Sequence, residues 1–182
     1  MVFEKLKLDK IDRKIISMLQ ENPKVSHLEI AAKVKRSQPA IGLRIKKLTK
    51  KGILQVQAGI NFKNVALYLA IVKITSRNPR DIINMARSCP FMLNAFHLSG
   101  DNDVLVFLAS SKLEKLYNIV DYHFRNNPEV IKVSMEVVTE IAKDFILPID
   151  LEIENLNPTS KKGCGVKCTY EFNGAKIDGL LQ

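Results

Sequence analysis

The sequence predicts an α+β protein of two domains, an N-terminal helix-turn-helix domain of winged-helix-like type and a C-terminal ferredoxin-like domain. Apolar residues in residues 9–50 recur at spacings of three and four, the period of an amphipathic helix. Residues 67–141 alternate between apolar runs of strand length and amphipathic runs of helix length. Residues 1–55 hold 14 of the 28 Lys and Arg residues but only 5 of the 19 Asp and Glu residues, so they carry the whole net charge of +9.

The first two helices are predicted from their capping residues. Asp9 and Asp12 have N-cap and N3 spacing, where carboxylates meet the free amides of a helix start. Asn22-Pro23 ends this helix, because a residue before proline is forced out of the helical region. Ser26 and Glu29 have the spacing of a capping box that opens the second helix. The apolar residues expected on its buried side are Leu28, Ala31, Ala32 and Val34.

The third helix has an N-cap residue at Ser37, a proline in its first turn and a glycine at Gly52 to end it. Ile41, Ile45 and Leu48 form its buried stripe, and the opposite face is basic. A short helix, a tight turn and a longer helix with a basic outer face are the layout of a helix-turn-helix.

We therefore expect the third helix to enter the major groove of double-stranded DNA. The residues predicted to face base edges are Ser37, Gln38, Ala40 and Leu43. Those predicted to contact the DNA backbone are Lys46, Lys47 and Lys50, and Arg44 on the flank completes the predicted DNA-binding set. Charge alone would equally fit a solvated basic surface that serves solubility.

The rest of the chain is divided into a connector at 55–66, a second domain at 67–147 and a tail at 148–182. The second domain has the order strand, helix, strand, strand, helix, strand, which is the ferredoxin-like βαββαβ arrangement. The predicted elements are strands at 67–75, 92–99, 104–109 and 131–141, helices at 79–89 and 111–126, and a tight turn at 100–103.

Residues 8–54 resemble the DNA-binding domain of the Lrp/AsnC (feast/famine) transcription regulators. The matching positions are Leu8, Asp9, Asp12, Ile15, Leu19, Leu28, Ala31, Ser37, Arg44, Leu48, Gly52 and Ile53. Lys35 and Arg36 stand where the family usually has an apolar residue and a glycine. The order of elements extends the resemblance over about 140 residues, and residues 98–106 resemble the family's glycine-containing turn before an apolar strand.

This resemblance implies a ligand-responsive transcription regulator that forms homodimers and assembles further into tetramers or octamers. Relatives bind small effectors, often amino acids, beside that turn. The predicted effector-binding residues are Gly100, Asp101, Asn102 and Asp103. Turn amides can donate to a carboxylate, and an aspartate can accept from an ammonium group. The alternative is that these residues only complete a hairpin.

Two cysteines in the tail, Cys164 and Cys168, form a C-x3-C pair that could bind a soft metal, form a redox pair or have neither role. A zinc site needs four ligands, so we predict no metal and no cofactor. No apolar run approaches the ~20 residues of a membrane span, and no signal peptide is evident, so we expect a cytoplasmic protein.

No nucleophile motif, P-loop or paired carboxylates are found, so we predict that the protein is not an enzyme. Two other functions stay open. Haem-pathway decarboxylases resemble the same family in both domains, but would need a haem pocket lined by histidine and arginine. An architectural protein could coat DNA without sequence preference.

Overall fold

The computed structural model describes residues 8–151, which form two compact units divided between Gln57 and Ala58. Cys164 and Cys168 lie outside the described residues. Within 8–151, no helix is both long enough and apolar enough to span a membrane.

The first unit consists of three helices: α1 (Lys10–Glu21), α2 (His27–Val34) and α3 (Gln38–Lys50). The predicted capping box of Ser26 and Glu29 is present, and Asp9 and Asp12, predicted at N-cap and N3, form a second one. The Asp9 carboxylate accepts from the Asp12 amide at 2.7 Å, and the Ser26 hydroxyl accepts from the Glu29 amide at 3.2 Å. Gly52 follows α3 with a φ of 66°, a left-handed conformation in which glycine is favoured.

The core of the first unit corrects two predicted residues. Leu28 and Ala32 were expected on the buried side of α2, but Ala32 is exposed and Leu28 is 65% exposed. Ile30 and Ala31 are buried instead, and they pack with Ile15 and Ile41. The α2 sequence offers two overlapping apolar stripes. The stripe of Ile30, Ala31 and Val34 buries more apolar surface than one of Leu28, Ala31 and Ala32 would, because Val34 is larger than Ala32.

The elements of the second unit after its first short strand are β2 Tyr68–Ser76, α4 Pro79–Ser88, β3 Met92–His97, β4 Val104–Ser110, α5 Leu113–Val120 and β5 Val130–Val137. The four strands form an antiparallel sheet with the order β3-β4-β2-β5. This is the predicted ferredoxin-like topology, and with the helical first unit it gives the predicted α+β class. Helices α4 and α5 cover one face of the sheet, and the core lies between them and alternate strand residues.

Helix α5 continues into a π-helical turn at Asp121–Arg125. Both His123 and Phe124, which are consecutive in this turn, are buried. The wider turn changes the angle between successive side chains, so neighbouring residues can both face the core. Burial lowers the pKa of His123 from 6.5 to about 4, because the protonated imidazole loses its hydration.

A second, two-stranded sheet was not predicted. It pairs β1 (Ile60–Asn61), within the expected connector, with β6 (Ile146–Leu147). A Cβ atom on Gly59 would lie 2.7 Å from the Leu147 backbone, so the strands approach closely because this residue is glycine. Two-residue strands are too short to leave an alternating pattern in the sequence.

Candidate nucleic-acid interface

The outer face of α3 lies on the side of the helix opposite the core. Ile41 and Leu48 are 0% and 4% exposed, whereas Leu43 on the opposite side is 70% exposed. The three lysines predicted to contact the DNA backbone are all exposed: Lys46, Lys47 and Lys50. The helix therefore presents an uncovered surface that combines one large apolar side chain with three cations.

The start of α3 is also open. Ser37 and Gln38 are exposed and Ala40 is half-buried. Ser37 has the extended backbone of an N-cap residue, but its side chain makes no capping bond, so its hydroxyl can bond to a ligand. A helix N-terminus carries unsatisfied amides and a partial positive charge, which favour phosphate.

Arg44 has a different environment from the other residues of the predicted DNA-binding set. Its guanidinium donates to Asp9 at 2.6 Å and to Asp12 at 2.7 Å. Its hydrogen bonds to these carboxylates, that to Asp9 first, raise the pKa of Arg44 above its ordinary value. The Asp12 amide is the largest cause of the lowered pKa of Asp9, and Arg44 adds to it. Arg44 thus links α3 to the start of α1 rather than standing free for phosphate.

A cleft of about 370 Å³ is lined by this ion pair and also by Lys47 and Lys51. Lys51 was not included among the predicted DNA-binding residues, although it is exposed and follows the last residue of α3. The sequence could have indicated Lys51, because it lies four residues after Lys47 and residues four apart share a helix face.

The turn at 100–103 joins β3 to β4, and one of its two aspartates has a structural contact. The Asp103 carboxylate accepts from the Ser76 amide at 2.8 Å. The Asp103 amide donates to Ile74 at 2.9 Å, and its carbonyl accepts from Leu98 at 2.7 Å. Asp103 therefore ties the turn to β2, as the hairpin alternative requires.

The other residues of this turn are more open. Gly100 and Asp101 are exposed, and Asn102 is half-buried. Thr75 donates its hydroxyl to the Asp101 carbonyl at 3.3 Å. Within residues 8–151 the Asp101 carboxylate has no hydrogen bond or ion pair. Gly100 has no positive φ, and a Cβ there would meet nothing within 4 Å, so open space adjoins the turn.

No cluster of three or more metal-ligating side chains occurs in the part of the chain that the structure describes. The prediction that neither a metal nor a cofactor is bound stays a prediction, because Cys164 and Cys168 lie outside that part.

Comparison with known proteins supports both units. A family model described as winged helix-turn-helix DNA-binding matches residues 8–55. An uncharacterised HTH-type transcriptional regulator of Pyrococcus abyssi is 26% identical over 141 residues, which cover 75% of this chain and 95% of that protein. The Escherichia coli AsnC structure shares the fold, with a TM-score of 0.66, 14% identity, and coverage of 76% of this chain and 96% of AsnC.

A transcriptional regulator of Neisseria meningitidis, solved as an L-Met complex, is 26% identical with a TM-score of 0.65. That match covers 78% of this chain and 96% of the Neisseria chain. The chain therefore resembles Lrp/AsnC regulators in both units. The predicted resemblance, the α+β fold class and the general function of a DNA-binding transcription regulator are confirmed.

Proposed function

We propose that this regulator reads its operator with α3 in the major groove. Ser37, Gln38, Ala40 and Leu43 would face base edges. The lysines Lys46, Lys47, Lys50 and Lys51 would contact phosphates. The observation that carries this proposal is the exposed face of α3, where a 70% exposed Leu43 and surface lysines lie opposite the buried Ile41. A helix of this composition fits a groove lined by phosphates.

The operator would be bound by a homodimer, because paired helix-turn-helix units read two half-sites. The sheet face away from α4 and α5 supports this pairing. Ile71 and Phe107 on that face are only partly buried, and Phe96, which packs edge-on against Phe107, is 43% exposed. On the same face Lys73 and Glu136 form an ion pair at 2.7 Å. A second copy would cover this partly apolar face, and further association would give tetramers or octamers.

The effector would be a small zwitterion of the amino-acid class, bound at 100–103. Support comes from the exposed Asp101 carboxylate, which could accept from an ammonium group, and from the open space beside Gly100. Amides of the turn could donate to the ligand's carboxylate. Asp103 would hold the turn in place through Ser76 rather than contact the ligand.

One experiment tests these proposals together. The protein is incubated with a random pool of duplex DNA, with and without a panel of amino acids, and the retained duplexes are sequenced. We expect an enriched motif with two related half-sites, and a change in affinity or spacing with at least one amino acid. Retained DNA without a motif would instead indicate an architectural protein. Size-exclusion chromatography with light scattering measures the assembly state.

We further infer that the chain acts as a regulator and not as an enzyme. The proteins it resembles are named transcriptional regulators, and its outer α3 face is basic rather than neutral. A haem-pathway decarboxylase would take up haem and absorb visible light. Titration of the purified protein with haem should therefore produce no specific absorption band, and a saturating one would contradict this inference.

A further inference from the structure

The outer face of α3 is divided along its length. Its N-terminal half is apolar, with an exposed Pro39, a half-buried Ala40 and Leu43 at 70% exposure. Its C-terminal half is basic, with Lys46, Lys47 and Lys50 exposed. Residues three and four apart lie side by side on a helix, so Leu43 adjoins both Pro39 and Ala40. We call Pro39, Ala40 and Leu43 the apolar strip.

A single exposed leucine is ordinary, but the surroundings of this one restrict what can cover it. Lys46 and Lys47 lie on the turn that follows Leu43, and their ammonium groups would lose hydration against an apolar protein surface. A DNA groove suits both features, because the lysines can contact its phosphates while the apolar strip contacts the base edges on its floor. DNA is therefore the occupant favoured by charge.

We propose that the apolar strip reads the 5-methyl groups of thymine, with Leu43 as the main contact. This inference rests on the proposed function. The thymine methyl is the apolar group displayed on the base edges in the major groove, and aliphatic side chains are suited to contact it. Leucine offers no hydrogen bond to guanine or cytosine, so packing it on those bases would leave their polar edges unsatisfied.

Arg44 strengthens the argument against guanine. Arginine is the commonest side chain for bidentate recognition of guanine. Arg44 is the only arginine on α3, and its guanidinium is bonded to Asp9 and Asp12. The N-terminal half of the helix is left with Gln38, a side chain suited to adenine, beside the apolar strip. The operator half-site should therefore place thymines under Leu43 and an adenine near Gln38.

Replacement of thymine by deoxyuridine tests this directly, because it removes the methyl group and keeps the base pairing. A duplex selected by the wild-type protein is resynthesised with each thymine changed in turn, and the dissociation constants are compared. At one or two positions per half-site we expect about a fourfold loss of affinity, which corresponds to one buried methylene-sized group. Leu43→Ala should bind the thymine and deoxyuridine duplexes equally. Lys46→Ala, the control, should weaken both and keep their ratio.

The outcomes separate the two proposals. If the wild type binds its selected duplex but no position distinguishes thymine from deoxyuridine, the inference is overturned and the proposed function stands. If a position distinguishes them and Leu43→Ala keeps the full ratio, another residue reads the methyl and the inference is again overturned. If no duplex is retained from the pool at all, the proposed function itself fails.

Discussion

Arg44 on α3 and Asp12 on α1 are joined by a hydrogen-bonded ion pair of 2.7 Å, although 32 residues separate them in the chain. The same guanidinium bonds Asp9, which also caps α1 through the Asp12 amide. One arginine thus connects the proposed DNA-reading helix to the N-terminus of the first helix. Its side chain is 32% exposed, so solvent weakens the pair, and we assign it a positioning role more than a large stabilising one.

We predict that Arg44→Ala leaves the salt dependence of DNA binding nearly unchanged, because the guanidinium contacts carboxylates and not phosphates. The slope of log affinity against log salt falls by about 0.9 for each lost phosphate contact. Lys47→Ala, on the same helix, should show that decrease. The free energy of unfolding of the first unit should fall by about 1 kcal/mol or less in Arg44→Ala. Equal slope changes in the two variants would show that Arg44 also contacts DNA phosphates.

Gln38 and Lys50 should differ in the kind of binding they support. Gln38→Ala should change preference at one base position by ~1–3 kcal/mol, because it removes a hydrogen-bonding side chain at the helix start. Lys50→Ala should weaken all sequences by a similar factor, because phosphates are present in every sequence. Selection from a random pool, repeated with each variant, measures both. An unchanged motif for Gln38→Ala would mean that this end of α3 does not read bases.

Gly42 lies inside α3, and its substitution by alanine should stabilise the first unit. A Cβ there would lie 3.6 Å from His27 Nδ1, an ordinary contact, and alanine is favoured over glycine in a helix by about 1 kcal/mol. Gly42→Ala should therefore raise the free energy of unfolding of the first unit by roughly 0.5–1 kcal/mol. Gly52→Ala is the matched control and should have the opposite effect. The φ of 66° at Gly52 disfavours a side chain, so the free energy of unfolding should fall.

Hydrogen exchange of the α3 amides measures both glycine variants within the first unit alone. Slower exchange in Gly42→Ala and faster exchange in Gly52→Ala are expected. Should Gly42→Ala exchange faster than the wild type, the contact with His27 must be tighter than the structure shows.

Substitutions of the two aspartates in the 100–103 turn should have different effects, one on ligand affinity and the other on stability. Asp101→Asn removes an exposed carboxylate and should weaken binding of an amino-acid effector by about 1.5–3 kcal/mol, the range for a hydrogen bond to a charged group. Its unfolding free energy should not change. Asp103→Ala should lower stability, because it removes the carboxylate that accepts from the Ser76 amide at 2.8 Å.

Calorimetry with an amino-acid panel, followed by denaturant unfolding of each variant, provides both measurements. A ligand that binds wild type and Asp101→Asn with the same affinity would place the effector site elsewhere.

Local signals in the sequence predicted most of the fold. The capping boxes at Asp9 and Ser26 depend on residues three apart, and two strands of the sheet lie in apolar runs of six or more residues, at 65–72 and 104–109. What was missed depends on contacts between distant parts of the chain. A helical pattern places Arg44 on a flank but cannot show that its partners lie 32 and 35 residues earlier. Likewise, the different roles of Asp101 and Asp103 follow from which strand lies beside the turn.

His123 provides the last prediction, a loss of stability in mild acid. Its pKa is about 4 in the folded protein and 6.5 ordinarily, because burial penalises the charged imidazole. Between these values the unfolded chain binds a proton that the folded chain does not, so the free energy of unfolding decreases as pH falls. From pH 6.5 to 5 the decrease should be about 2 kcal/mol, and it should continue until pH reaches about 4.

The measurement is urea unfolding followed by tyrosine fluorescence. The chain has no tryptophan, and the tyrosines among the described residues, Tyr68, Tyr117 and Tyr122, all lie in the second unit, so their signal reports that unit. Replacing His123 by Phe should remove most of the pH dependence between 6.5 and 5, whatever its effect on stability at neutral pH. The exposed His97, replaced by Gln, should leave the dependence as in the wild type. If His123→Phe loses as much stability in acid as the wild type, another group must bind the proton on unfolding, and the imidazole of His123 is not what makes the second unit sensitive to acid.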